Sequence, residues 1–216
     1  MDMSSFNLSA TLSLFRLITK PSLILPQATI RNFNELPIPL NKAFEGKYKN
    51  VDIRAVVLDK DNCFAWPKEN TVWKEYEPHL NRLRATHTTT LLIVSNTAGS
   101  TSDPTLSQSR LLATTTSIPV LTHTLKKPSC GPDIMAYFKS HPATGVTRPD
   151  QIAVVGDRLT TDVMMANMMG AYSVFVADGT MGREGLGVLA KMEQGVASFL
   201  LRSGFEAPDP SSPFEK

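Results

Sequence analysis

Two carboxylates two residues apart, Asp59 and Asp61, follow the apolar run Ala55-Val56-Val57-Leu58. Such a run reads as a short buried strand, and open α/β sheets bind ligands at the carboxyl ends of their strands. The pair suits a metal-assisted carboxylate site, or it is solvated turn chemistry, because Asp bonds readily to nearby backbone. Three further groups bear on that choice. Ser95-Asn96-Thr97 follows the run Leu91-Leu92-Ile93-Val94. Lys126-Lys127-Pro128 comes after Pro119-Val120-Leu121, and Gly156-Asp157-Arg158, with Asp162, follows Ile152-Ala153-Val154-Val155. Taken singly they are a turn, a solvated lysine pair and a common strand exit. At successive strand ends of one parallel sheet they all reach the same edge.

Their chemistry is mutually consistent. A carboxylate that attacks phosphorus forms an aspartyl-phosphate and splits hydrolysis into two easier steps. That attack sets anion against anion, so a cation is needed, and Mg²⁺ binds through one or two carboxylates plus substrate oxygens and waters. Asp59 and Asp157 can supply the carboxylates. Ser95 and Lys127 can bind phosphoryl oxygens and offset developing charge. Asp61 can protonate the leaving oxygen and later deprotonate the attacking water.

The elements that must position these groups alternate. Helical spacing is read over 73–84, where Pro78 starts or kinks the helix, then over 106–113, 133–140, 160–169 and 187–201. Strands end at Leu58, Val94, Leu121, Val155 and Val176. Alternation of this kind implies crossovers and a largely parallel sheet covered on both faces, and the strands lack polar alternation, as two buried faces require.

A chain of 216 residues holds one domain with extensions. Its formal charge of +2 shows no nucleic-acid footprint. Two cysteines, Cys63 and Cys130, make no disulfide framework, and no apolar run reaches the roughly 20 residues of a membrane span.

Residues 1–26 are read as an amphipathic segment rich in Leu and Ile, with Arg16 and Lys20 four apart. Three readings stay open for it: a mitochondrial presequence, an interfacial membrane anchor, or a helix packed on the core. Residues 27–50 read as a basic connector, 51–204 as the catalytic domain, and 205–216 as a loose Pro- and Ser-rich tail. Phe64 and Trp66, beside the first carboxylates, either enter a lipid interface or pack in the core.

The four groups resemble the motifs of the haloacid dehalogenase (HAD) phosphatase superfamily: Leu58-Asp59-Lys60-Asp61-Asn62, Ile93-Val94-Ser95-Asn96, Lys127-Pro128, and Gly156-Asp157-Arg158-Leu159-Thr160-Thr161-Asp162. The resemblance implies a three-layer, Rossmann-like α/β fold with Mg²⁺ as cofactor. It implies Asp59 as nucleophile and Asp61 as acid/base, with the Asp61 backbone carbonyl also on the metal. Ser95, Asn96 and Lys127 are implied as phosphate-binding, Asp157 as a metal ligand, and Asp162 as support for the metal's water shell. Asp-Lys-Asp-Asn continuing into Cys63-Phe64-Ala65-Trp66-Pro67, and Asn32-Phe33 with Leu36-Pro37 before it, resemble the fungal and plant mitochondrial phosphatidylglycerophosphatases of this superfamily. That narrower resemblance implies a phospholipid substrate on the way to cardiolipin, at the matrix face of the mitochondrial inner membrane. The intervals between Asp61 and Ser95 and between Ser95 and Lys127 are too short for an inserted cap, since domains start at about 50 residues. A capless, open site suits a substrate held in a membrane. A soluble phosphatase of sugar phosphates or phosphoproteins, and a membrane scaffold without turnover, are the competing readings. Sequence leaves the oligomeric state and the roles of Lys60, Arg158 and Arg183 open.

Overall fold

The computed structural model describes residues 16–210. Five strands form one sheet: β1 Ala28–Ile30, β2 Ala55–Leu58, β3 Leu91–Ile93, β4 Ile152–Gly156 and β5 Tyr172–Val176. Their order across the sheet is β1-β5-β4-β2-β3, and every pairing is parallel. The run 119–121 adds a single parallel bridge, Val120 to Ile93, at the β3 edge, in place of a full strand.

Side-chain alternation along the strands divides the interior. Val56, Leu58, Ala153, Val155, Val174 and Val176 face one core, and Ala55, Val57, Ile152 and Val154 face another. Both sets are apolar because helices cover both faces. Helix α1, Glu77–Thr86, lies over the first face, with Leu80 and Leu83 buried. Its Pro78 sits in the first turn, where the missing N–H removes no helical bond. Helix α2 spans Ser107–Thr116 and α3 spans Gly131–Ser140. Ile134 and Phe138 of α3 cover the second face together with Met165, Ala166 and Met169 of α4, Met164–Met169. Helix α4 ends at Gly170, whose φ of 79° supplies the left-handed stop. Helix α5, Val188–Arg202, closes the chain against a third cluster containing Ile24, Leu25, Leu159, Phe175, Ala197 and Leu200.

Two expectations are corrected, and one open reading is decided for part of its segment. The stretch 27–50 does not behave as a connector: Ala28–Ile30 adds a parallel edge strand to β5, and Phe33, Leu36, Leu40 and Phe44 are buried in the first core. Its basic residues masked an apolar spacing too irregular to read as helix or strand. Residues 205–210 are not loose either. Ala207 is buried, and the Pro208 carbonyl accepts from Gln27 Nε2 at 2.8 Å. Within 17–25, Leu17 and Leu23 to Leu25 join the third cluster, and Asn167 donates to the carbonyls of Leu23 and Leu25 at 2.8 and 3.0 Å. This part packs on the core, while the expectations for residues 1–15 and 211–216 lie outside the described residues. Phe64 is a core residue, whereas Trp66 is 37% exposed and lies against Trp73.

Candidate active site

β2 is the switch point of this sheet. The chain leaves it for β3 on one side and returns to β4 on the other. The crevice between the carboxyl ends of β2 and β4 is where such sheets bind ligands, and Asp59 and Asp157 stand at those two ends. The ladder continues one step past β2, with Asp59 N donating to Val155 O at 2.8 Å, so the Asp59 backbone is fixed by the sheet itself.

Carboxylate oxygens of Asp59, Asp157 and Asp162 all lie within 4.8 Å of one another. Lys127 Nζ joins two of them. It donates to Asp59 Oδ1 and, at 2.6 Å, to Asp162 Oδ1. Three clustered carboxylates share one ammonium, so the cluster carries an excess of negative charge. Burial pushes the Asp59 carboxyl up to about 7 despite the opposing Lys127 charge, and Asp162 adds to the rise. Burial, then the charges of Asp59 and Asp162, also raise Asp157 well above the usual carboxylate range. The same two anions, Asp162 and Asp59, raise Lys127 against its burial. An all-oxygen, net-negative donor set of this size fits a hard divalent cation.

The loop after β4 is built to fold back. Leu159–Val163 form a π-helical turn ahead of α4, a form found disproportionately at functional sites. It brings Asp162 over the strand end, where Oδ2 accepts from Arg158 N at 3.1 Å. A Cβ on Gly156 would stand 2.4 Å from Asp162 Cγ, so this close approach requires glycine. Asp61 points elsewhere. Its Oδ1 accepts from Lys60 Nζ and from Lys68 N, both at 2.7 Å, while Oδ2 accepts from the Thr97 hydroxyl at 3.2 Å. Thr97 Oγ1 is 2.8 Å from Ser95 Oγ, which chains the second motif to the first. Asn96 acts as a clip, with Oδ1 accepting from Lys127 N at 2.8 Å, and that oxygen is thereby engaged with backbone rather than open to a ligand.

The structure therefore brings Asp59, Asp157, Asp162 and Lys127 into one cluster, with Asp61 and Ser95 adjoining through Thr97. Of the residues left open by sequence, Lys60 is buried between Asp61 and the Glu69 carbonyl. Arg158 pairs with Glu193 at 2.8 Å, and Arg183 is exposed in the turn Gly182–Gly185. Four further contributors had no assigned role. Thr97 is one, two residues beyond Ser95. Asn62, in the left-handed region at φ 56°, donates to Asp157 Oδ2 at 2.9 Å and accepts from Met181 N at 3.0 Å. His123 spans from Ser95 O to Leu125 O, at 3.0 and 2.7 Å. Glu193 accepts from Leu159 N and Thr160 Oγ1 at 3.0 and 2.6 Å. Asn62 and Thr97 lay inside motif phrases and could have been suspected. His123 and Glu193 had no local signal, because their partners are far away in sequence.

Between Asp61 and Ser95 the chain makes a loop, a short 3-10 turn, α1 and β3, and between Ser95 and Lys127 it makes α2 with its flanking loops. No helix among the described residues is long and apolar enough to cross a membrane.

Residues 8–181 match the family described as Mitochondrial PGP phosphatase. The chain is 45% identical over 195 residues to "Phosphatidylglycerophosphatase GEP4, mitochondrial" of Saccharomyces cerevisiae, covering 90% of this chain and 98% of that relative. It is 34% identical over 168 residues to a "Probable phosphatidylglycerophosphatase, mitochondrial" of Schizosaccharomyces pombe, covering 75% of this chain and 78% of the relative. It is 29% identical over 167 residues to "Phosphatidylglycerophosphate phosphatase 1, chloroplastic/mitochondrial" of Arabidopsis thaliana, covering 76% of this chain and 46% of the relative.

Proposed function

The chain belongs to the mitochondrial PGP phosphatase family, and on that premise we propose that it hydrolyses phosphatidylglycerophosphate to phosphatidylglycerol through an aspartyl-phosphate on Asp59. It is a phosphoric monoester hydrolase. The observation that carries the mechanism is the cluster itself: Lys127 bridges Asp59 and Asp162 at the switch point, with Asp157 beside them.

Asp59 is held by the sheet and by Lys127, so its carboxylate is aimed before substrate arrives. Its oxygen attacks phosphorus, an Asp59 O–P bond forms, and the bond from phosphorus to the glycerol oxygen breaks. Asp61 gives that oxygen its proton. The Oδ1 of Asp61 is engaged by an ammonium and a backbone N–H, so Oδ2, which meets a rotatable hydroxyl, is the atom that carries the proton. Water then attacks phosphorus, Asp61 Oδ2 takes the proton back, and phosphate leaves with Asp59 restored. Ser95 and Lys127 hold the phosphoryl oxygens through both steps, while Asn96 fixes the Lys127 backbone. Asp59, Asp157 and the Asp61 backbone carbonyl would hold Mg²⁺, with Asp162 behind its waters. When bound, that ion supplies positive charge to offset the anions on carboxylate and phosphate.

The short intervals around Ser95 leave the crevice without an inserted lid, which suits a phosphate presented at a lipid surface. We place the protein on this reading as a peripheral enzyme of the matrix face of the mitochondrial inner membrane, one step before cardiolipin formation. The test is Mg²⁺-dependent phosphate release from phosphatidylglycerophosphate against a panel of soluble phosphomonoesters. The lipid is expected to dominate, and Asp59→Asn is expected to abolish release. Equal rates across the panel would refute the substrate, and an active Asp59→Asn would refute the nucleophile.

A further inference from the structure

Helix α5 carries six large apolar side chains left exposed among the described residues, and all but Leu201 form one stripe. Val188, Leu189, Met192, Val196 and Phe199 are between 49% and 77% exposed. At 3.6 residues per turn they fall within an arc of about 100°. Ala197 and Leu200 face the third core on the adjoining arc, so the apolar stripe is a second face rather than the spill of the first. Lys191 and Arg202, both exposed, border the stripe on its other side. The helix has one carboxylate, Glu193, and it is 7% exposed and engaged by Arg158, Leu159 and Thr160. The exposed acids nearest in sequence, Glu184 and Glu206, lie outside the helix.

A helix with an apolar side toward water, a basic border and no exposed carboxylate matches the plane of an anionic lipid interface. Two copies packed face to face would instead oppose basic borders that no carboxylate on the helix can match. The stripe is also joined to the chemistry: Glu193, next to Met192, holds the loop that carries Asp157 and Asp162. We propose that the stripe Val188–Phe199 of α5 is the surface by which this protein docks on an anionic phospholipid bilayer, with Lys191 and Arg202 meeting headgroup phosphates. The inference rests on the reading of the substrate as a lipid phosphate, and it moves the membrane contact from the amino-terminal segment to the last helix.

The full chain is sedimented with phosphatidylcholine vesicles that contain phosphatidylglycerol. Met192→Glu/Phe199→Glu is expected to lower the bound fraction at least about tenfold while hydrolysis of a soluble aryl phosphate stays unchanged, which shows an intact fold and site. Lys191→Gln/Arg202→Gln is expected to weaken binding to anionic vesicles at low salt and to leave neutral vesicles unaffected. Equal sedimentation of the wild type and the double glutamate variant overturns the proposal. So does a wild-type dimer that the same variant splits, which gives the stripe to a second copy. Binding lost on deleting residues 1–15 but kept by the glutamate variant overturns it too. Phosphate release from phosphatidylglycerophosphate in detergent micelles needs no docking. Its absence in the wild type would sink the substrate reading while leaving the vesicle result to stand alone.

Discussion

Lys127 Nζ lies 2.6 Å from Asp162 Oδ1 while donating to Asp59 Oδ1, so one buried ammonium ties the loop after β4 to the end of β2. The two anions it joins are 103 residues apart in sequence and meet only because β2 and β4 are neighbours in the sheet.

Replacing that ammonium tests both its roles. Lys127→Met leaves three carboxylates with no partner cation, and breaking a buried pair costs about 3–5 kcal/mol. Urea unfolding without metal is expected to show a loss of that order, partly reversed by Mg²⁺, and phosphate release is expected to fall at least about a hundredfold. Metal-free stability equal to wild type would mean that the pair does not hold the cluster.

Asn62 holds Asp157 from the other side and is itself fixed by Met181 N. Partners of this kind orient metal-binding carboxylates, and their loss costs about 10–100-fold in metal affinity or activity. Asn62→Ala is expected to raise the Mg²⁺ concentration for half-maximal rate by about that factor. An unchanged Mg²⁺ requirement would remove Asn62 from the site.

Gly156 gives the sharpest steric test. A Cβ there meets Asp162 at 2.4 Å, so Gly156→Ala must push Asp162 away from Lys127. Loss of most phosphatase activity is expected, with a stability cost of about 1–3 kcal/mol. Retained activity would show that Asp162 tolerates displacement.

The titration of the cluster predicts an unusual pH dependence. Asp59 is pushed up to about 7 and Asp157 is raised as well, chiefly by burial. Above about pH 4 the unfolded chain has lost protons that the native site keeps. Stability of the metal-free protein is therefore expected to fall between about pH 4 and about pH 7. Lys127, also raised, contributes stability that is fully present throughout that window and is lost only at far higher pH. A divalent cation displaces the retained protons, so its affinity is expected to climb through the same window. Denaturant midpoints with chelator and with Mg²⁺ check this, and metal-free stability that rises toward pH 7 would contradict it.

The grouping of the candidate site was legible in the sequence because its members sit at strand ends. Apolar runs without alternation announce buried parallel strands, and a parallel sheet brings their carboxyl ends to one edge. Asp59, Ser95, Lys127, Asp157 and Asp162 could thus be grouped before any contact was seen. What only the tertiary structure decided depends on partners distant in sequence. The stretch 27–50 turned out to hold an edge strand, because the pairing that makes Ala28–Ile30 a strand is supplied by β5. Glu193 proved to anchor the loop 158–160 across more than thirty residues. Periodicity alone leaves α5 with apolar side chains on more than one arc. Which of two apolar arcs meets the protein is fixed by packing, and the arc left over faces water.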